Sequence, residues 1–254
     1  MKLLAVETST PSGSVALVEF DKQKVKVLGE ITVYSEKSHS ERLLPSIDSL
    51  LAQCEIDISD IDFFAASIGP GSFTGLRIGL STIKAFAYAH NKKVVGIPTL
   101  EAMSHPGLFH SGPVCPFLDA GRGELYAALY QWGGASLLPV SLQKQNDLIS
   151  KLREFQKHYH PNQRHSDQRH PERSFAWRSE GSPAELEKIL LLGDISLLEE
   201  KLLDQRIFKW GNASPRASSV AQLAIRKIEQ GADIDPGELL PLYVRIPQAE
   251  ANLR

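Results

Sequence analysis

The chain has 254 residues, of which 42% are hydrophobic and 23% are charged, and its formal net charge at pH 7 is −2. This length accommodates one large domain or two of medium size, and the composition is that of a soluble globular protein. A net charge near zero excludes binding to nucleic acid or to an anionic membrane through the overall field, so any such contact needs a local patch or a partner protein.

The cysteine content and the first residues both indicate a reducing compartment. Cys54 and Cys115 are far apart and form no CxxC, zinc or disulfide pattern. The opening MKLLAVETST has a run of four apolar residues before Glu7, which is too short for a signal peptide or a membrane span. We therefore expect a cytoplasmic protein that does not bind a membrane.

The first hundred residues predict an α/β unit. LLAVETSTPSGSVALVEF indicates a hairpin of two strands, and a third strand follows within 24–34. Ser38 and Glu41 fit a capping box, so a helix should begin near Ser38, although Pro45 should kink it or delay its start. The run DFFAASI predicts another strand, a helix follows over about 73–90, and VVGIP predicts the next strand.

A second unit of the same kind begins near Gly112. VCPFLDAGRGELYAALYQW repeats the order of the first hairpin, which is an apolar strand, an acid, a tight turn and a second strand. This order predicts an internal duplication, although two unrelated hairpins could share it by chance. We place the domains at 1–108 and 109–254, with a polar insertion rich in Arg and His at about 156–183. SVAQLAIRKIEQG is an amphipathic helix closed by Gly231.

The segment IGPGSFTGLRIGL, residues 68–80, has four glycines immediately before and within a predicted helix. It is not a Walker A loop, because Gly75 is followed by Leu76 and Arg77 where that motif requires Lys and a hydroxyl residue. It is not a dinucleotide fingerprint either, because Thr74 stands at the position of the last glycine. The start of the helix could still bind an anion through its backbone N–H groups.

Gly75 and Gly79 lie four residues apart and therefore share one face of this helix with Leu76, Leu80 and Ile83. Each glycine costs about 1 kcal/mol relative to alanine inside a helix, so we expect close approach of another backbone to offset the cost. That backbone could belong to the chain's own sheet, which the pattern alone favours, or to a second subunit.

In two places an acidic residue is followed by a tight turn, an arrangement that suits a nucleotide-binding cleft between duplicated halves. The first is Glu7 with Thr8 and Ser9, and the second is Asp119 with Gly121. Hydroxyl groups and turn amides can hold phosphate oxygens, and an acid can hold Mg²⁺ through water. Turn chemistry alone explains the same residues. The scattered histidines, the absence of GxSxG and the lack of a Cys–His pair predict neither a metal site nor a catalytic nucleophile.

Several stretches resemble the bacterial TsaB (YeaZ) family. They are AVETST, HSERLLPSID, IGPGSFTGLRIGLSTIKAFAYAHNKKVVGIPTLEAM and FLDAGRGELYAALY, and the resemblance resumes at PLYVR. It covers roughly residues 1–130, and GPGSFTGLRIGL is its most specific part. The resemblance implies an α/β fold of the actin-like, sugar-kinase-like (ASKHA) type with two duplicated domains. Members of the family are non-catalytic partners in the synthesis of N6-threonylcarbamoyladenosine at position 37 of ANN-decoding tRNAs.

The resemblance also implies that catalysis resides in another protein. The related catalytic subunit, TsaD, binds a metal through an HxxxH motif, and the matching segment here is TLEAM, with Thr99 and Met103 at the two ligand positions. Neither side chain can replace imidazole as a ligand. The expected protein is thus an accessory subunit without metal or cofactor, which binds TsaD in a complex that includes the ATPase TsaE and reaches tRNA through that complex.

For the glycine helix, the resemblance favours the interface over internal packing. In the family, helices matching 38–54 and 73–90 pack against their counterparts on a second subunit, in a homodimer or in a heterodimer with TsaD. The expected interface residues are Leu43, Ile47, Leu50, Gly75, Leu76, Gly79, Leu80 and Ile83.

The two acid and turn pairs would then be a vestigial nucleotide loop, made of Glu7, Thr8, Ser9, Asp119 and Gly121, with Glu7 in place of the more usual Asp. Two alternatives stay open. One is an ASKHA phosphotransferase that uses Glu7 and Asp119 around Mg-ATP. The other is a metallopeptidase, against which the missing HxxxH argues.

Overall fold

A computed structural model describes residues 1–22, 24–35, 38–105, 112–131, 134–159, 188–199, 204, 208–211 and 213–245. They divide into two compact units, Met1–His105 with Ala213–Arg254, and Pro106–Asn212. The predicted polar insertion lies outside the described residues from position 160 onward. Among the helices described, none is both long and apolar enough to cross a bilayer.

The two units contain ten strands and five α-helices within the described residues. In chain order these are β1 (Lys2–Glu7), β2 (Ser12–Phe20), β3 (Val25–Tyr34), α1 (His39–Cys54), β4 (Phe63–Gly69), α2 (Phe73–His90), β5 (Lys93–Pro98), α3 (Thr99–Ser104), β6 (Val114–Gly121), β7 (Glu124–Tyr130), β8 (Ser136–Lys144), α4 (Gln145–His158), β9 (Ile189–Leu192), β10 (Phe208–Gly211) and α5 (Ala217–Glu229).

The first unit has a five-stranded sheet in the order β3-β2-β1-β4-β5. The first three strands are antiparallel, as the predicted hairpin requires, and β4 and β5 continue the sheet in parallel with β1. Side chains of β1 alternate between the faces, so Leu4 and Val6 pack with α1 and α2 while Leu3 and Ala5 pack with α5. Both faces of this sheet are therefore covered by helices.

Local signals account for where α1 and α2 begin and end. Ser38 caps α1 by accepting a hydrogen bond from Ser40 N, and Ser72 caps α2 by accepting one from Gly75 N. Pro45 lies within α1, which continues to Cys54, so it neither ends nor delays this helix. The αL conformation of Glu55 and Asn91 closes the two C-termini.

The second unit repeats the topology of the first. Its sheet order, β8-β7-β6-β9-β10, matches β3-β2-β1-β4-β5 element for element, and α4 follows the third strand as α1 does. Three antiparallel strands are again followed by parallel ones. The predicted internal duplication is confirmed, because a chance resemblance of two hairpins would not extend to the helix and the two parallel strands.

Helix α5 belongs to a different unit from the one predicted, since the sequence placed it in a domain spanning 109–254. Its apolar face, including Val220, Ala221 and Ala224, packs against the first sheet. The first unit is therefore made from two separate segments, and the second unit is inserted between them along the chain.

Long-range hydrogen bonds fix the start of α5 on this sheet. Glu30 of β3 accepts hydrogen bonds at Oε1 from Ser218 N (3.0 Å) and at Oε2 from Ser218 Oγ (3.0 Å) and Arg216 Nη2 (2.7 Å). Ser14 Oγ of β2 accepts a further bond from Ala217 N at 2.9 Å. These bonds satisfy N–H groups that lack partners within the helix itself.

Replacing Glu30 by alanine should lower the free energy of unfolding by about 2 kcal/mol, because three hydrogen bonds to a mostly buried carboxylate are lost. Denaturant unfolding of both proteins measures the change. Glu19→Ala, on an exposed position of β2, is the matched control and should stay within about 0.5 kcal/mol of the wild type. Equal effects of the two substitutions would contradict a capping role for Glu30.

Candidate functional site

The glycine face of α2 is filled by the turn between β1 and β2. A Cβ atom on Gly75 would lie 2.0 Å from Thr8 O, and one on Gly79 would lie 2.3 Å from Thr8 Oγ1. On Gly71, just before the helix, a Cβ atom would lie 2.4 Å from Ser9 O. The close approach that these glycines predicted is therefore made by the chain's own backbone, and the face is not open to another molecule.

Hydrogen bonds from both helices hold this turn in place. Thr8 Oγ1 donates to Gly75 O at 2.8 Å, and Ser72 N donates to Ser9 O at 2.7 Å. From α1, Arg42 Nη2 donates to Pro11 O at 2.6 Å. The turn is thus part of the packing between the sheet and its helices.

His39 adds a further contact at the start of α1. Its Nε2 lies 2.8 Å from Thr10 O and its Nδ1 lies 3.1 Å from Arg42 Nη2. Burial lowers the pKa of His39, which favours the neutral ring. A neutral ring that carries its proton on Nε2 donates to Thr10 and accepts from Arg42, so both contacts are satisfied.

Glu7, at the end of β1, points into the unit and is fully buried. Its Oε1 accepts hydrogen bonds from Ser9 N (2.6 Å) and Ser9 Oγ (2.5 Å), and its Oε2 is hydrogen-bonded to Ser67 Oγ. Burial raises the pKa of Glu7 to about 7, although the bonds from Ser9 oppose the shift. Within the described part of the chain, its hydrogen-bond partners are the hydroxyl groups of Ser9 and Ser67 and the backbone N–H of Ser9.

The second acid and turn pair lies in the β6–β7 hairpin of the other unit. Asp119 is exposed and accepts a hydrogen bond from Gly121 N at 2.7 Å. Gly121 has a φ of 72°, a conformation that favours glycine, so turn geometry explains both residues. A shared nucleotide loop formed by Glu7 and Asp119 stays a prediction.

The residues predicted to form the subunit interface lie in the core of the first unit. Their six apolar side chains are buried within this unit, and the most exposed of these six reaches only 5%, while the two glycines are also buried. Such side chains are not available for direct contact with another chain, so this assignment needs correction. The residues concerned are Leu43, Ile47, Leu50, Gly75, Leu76, Gly79, Leu80 and Ile83.

The opposite sides of α1 and α2 face outward and carry residues that the sequence interpretation missed. Leu44 on α1 is 48% exposed, and Tyr88 on α2 is 62% exposed. The small residues Ser81 and Ala85 lie between Phe73 and Tyr88 on the same outward stripe of α2. A helical wheel could have found Leu44 and Tyr88, because they are large side chains that lie outside the main apolar face of their helices.

The two residues expected at metal-ligand positions are inside the first unit. Thr99 and Met103 lie on α3 and are fully buried, and Thr99 Oγ1 has no hydrogen-bond partner among the residues that the structure describes. Across the described ranges, no group of three or more His, Cys, Asp or Glu residues is arranged to hold a metal ion.

Comparison with known proteins gives a match to a family model over residues 26–249, described as "TsaD: tRNA N6-adenosine threonylcarbamoyltransferase". The tRNA threonylcarbamoyladenosine biosynthesis protein TsaB of Bacillus subtilis is 28% identical, over 99% of this chain and 97% of that protein. The Escherichia coli protein of the same name is 32% identical over 52% of this chain, and the match spans about half (55%) of that protein.

Among solved structures, YeaZ from Pseudomonas aeruginosa superposes with a TM-score of 0.67 at 21% identity, covering 95% of this chain and 99% of that chain. At this identity the match shows the fold alone. Together with the family model and the two equivalent sheets, it confirms the duplicated ASKHA-type α/β fold that was predicted.

Proposed function

The chain belongs to the TsaB (YeaZ) family, among proteins that match the TsaD family model, and on this premise we propose that it acts in tRNA threonylcarbamoyladenosine biosynthesis as an accessory subunit. The observation that carries the proposal is the match to B. subtilis TsaB, which extends over nearly the whole of both chains. In the proposed role the chain binds and activates a TsaD subunit within an assembly that includes the ATPase TsaE.

Two features of the first unit support an accessory role over catalysis. Thr99 and Met103, where the family resemblance implies that TsaD has its metal ligands, are core residues of α3. Thr8 and Ser9 fill the glycine face, and the Glu7 carboxyl points into the protein with its hydrogen bonds satisfied by Ser9 and Ser67. These groups are committed to the fold, which disfavours the alternative of a Mg-ATP-dependent phosphotransferase.

The outward sides of α1 and α2 are the surface that we assign to the TsaD subunit. The helices lie on the same face of the first sheet, and Leu44 and Tyr88 leave large apolar areas uncovered by the described residues. Ser81 and Ala85 would let a partner helix approach α2 closely. This surface replaces the buried residues first predicted for the interface.

A mixing experiment tests the proposal. The chain and the TsaD of the same organism are run singly and together on size exclusion with light scattering. The mixture is then assayed for tRNA modification with TsaE and threonylcarbamoyl-adenylate. We expect a heterodimer and modification that requires both chains. Absence of both would overturn the proposal, and ATP binding by the isolated chain in calorimetry would then favour the phosphotransferase.

Leu44→Asp should weaken association with TsaD about tenfold or more, because it places a charge within the proposed apolar contact. The fold should be retained, since the side chain is 48% exposed. Val25→Asp on β3, at a position that is 47% exposed, is the matched control and should bind as the wild type does. Equal affinity of the two variants would argue against an interface on α1.

A further inference from the structure

A second exposed apolar patch lies where α2 begins and the C-terminal segment passes over it. We call it the Phe73 patch, and it consists of Phe73, Arg77, Leu240, Leu242 and Tyr243. Phe73 and Tyr243 are 45% and 44% exposed, and Leu240 is 69% exposed. The rings of Phe73 and Tyr243 are 5.3 Å apart between centroids, so the patch joins residues 170 positions apart in the chain into one surface.

The patch is held rigidly by bonds to the body of the unit. Leu242 N donates to Ile68 O at 2.6 Å, and Lys84 Nζ donates to Leu239 O at 3.1 Å. Gly69 leaves room for the carbonyl group of Leu242, which a Cβ atom there would approach to 2.7 Å. Because these bonds fix the backbone of the C-terminal segment before any partner arrives, little backbone conformational entropy is lost on binding.

Arg77 gives the patch its polarity. Its guanidinium group lies 5.2 Å from the centre of the Phe73 ring, which orients the cation at the surface. Helix α2 contains no Asp or Glu, so the positive charge is not balanced within its own helix. A partner that complements the patch would offer a carboxylate to Arg77 and apolar side chains to the two rings.

This combination favours a protein over a nucleic acid as the occupant. Aromatic residues and arginine are enriched at the energetic centres of protein interfaces. Nucleic acid binding depends on several cations that contact phosphates. Here Arg77 is the cation of the patch, the neighbouring Lys84 is engaged by the Leu239 carbonyl group, and Leu240 and Leu242 add aliphatic surface.

We propose that the Phe73 patch binds an acidic segment with apolar neighbours on the same TsaD-type partner, as an extension of the surface assigned to α2. The inference rests on the proposed function. It adds the C-terminal segment and Arg77, neither of which the sequence interpretation placed at an interface.

The test compares the affinities of variants for the TsaD of the same organism by calorimetry. Arg77→Glu and Tyr243→Ala should each weaken binding about tenfold or more, with circular dichroism and the melting temperature close to those of the wild type. Arg122→Glu, on the exposed hairpin of the second unit, makes the same change in charge and should bind normally. Reversing one acidic residue of TsaD to lysine should restore binding to Arg77→Glu.

The outcomes separate this inference from the proposed function. If the wild-type chain does not bind TsaD, the proposed function fails and with it this inference. If the wild type binds and both patch variants bind equally well, only the patch assignment is overturned. If the patch variants keep their affinity for TsaD but lose self-association in light scattering, the patch binds a second copy of this chain and the inference is overturned. If they keep that affinity but the complex loses tRNA binding, the patch binds RNA and the inference is likewise overturned.

Discussion

Gly75→Ala is expected to lower the free energy of unfolding by about 3 kcal/mol, although alanine is the better helix former. Helix propensity alone predicts a gain of about 1 kcal/mol. The added Cβ atom, however, would lie 2.0 Å from the backbone oxygen of Thr8, and this turn is fixed by hydrogen bonds to both helices. Backbone on both sides of the clash must move, which is more costly than turning a side chain. Thermal or denaturant unfolding measures the change.

Two further substitutions make this test specific. Ala85→Gly, at an exposed position of the same helix, should cost about 1 kcal/mol and sets the scale of helix propensity. Gly79→Ala meets the side chain of Thr8, at 2.3 Å from Oγ1, so Thr8→Ala should relieve part of its cost. We expect the double variant to be more stable than additivity predicts. A Gly75→Ala protein as stable as the wild type would contradict the packing described.

Glu7→Gln should make the protein more stable than the wild type at pH 8 by about 3 kcal/mol, and change its stability little at pH 4.5. Burial raises the pKa of Glu7 from 4.5 to about 7 in the folded state. Between these values the unfolded chain loses a proton that the folded protein keeps. The contribution of Glu7 to stability is therefore greatest below pH 4.5 and is lost as the pH rises through 7.

Glutamine fits the same hydrogen bonds without a charge. Its oxygen can accept from Ser9 N and Oγ, and its NH₂ group can donate to Ser67 Oγ. Unfolding free energies of both proteins from pH 4.5 to 8 test the prediction. As a control, Glu19→Gln on the exposed side of β2 should show the same pH dependence of the unfolding free energy as the wild type. If the unfolding free energy of Glu7→Gln also follows the wild type across this pH range, folding does not raise the pKa of Glu7 and the prediction is wrong.

Most of the fold could be predicted because its signals are local. The alternation and turn residues of the first hairpin specify β1 and β2, and their repetition in β6 and β7 revealed the duplication. The placement of α5 could not be predicted. An amphipathic helix shows that one face is buried, but nothing in its own pattern says which sheet it covers.

The candidate site was predictable only in part, for a related reason. The spacing of Gly75 and Gly79 correctly predicted a face under close approach, and the pattern alone favoured internal packing, which the structure shows. Family resemblance predicted that α1 and α2 form a subunit interface, which stays a prediction, and it did not say which side of each helix faces outward. Core and interface faces are both rich in apolar residues, so composition did not distinguish Leu80, which is buried, from Leu44, which is exposed.

The division of the first unit into two segments has a consequence for biosynthesis. One face of its sheet, which includes Leu3, Val18 and Phe20, is covered by α5. The ribosome produces residues 217–229 only after the entire second unit has been made. While the second unit is being made, the nascent chain therefore carries an apolar sheet face that α5 covers only later, and transiently exposed apolar surface of this kind promotes aggregation.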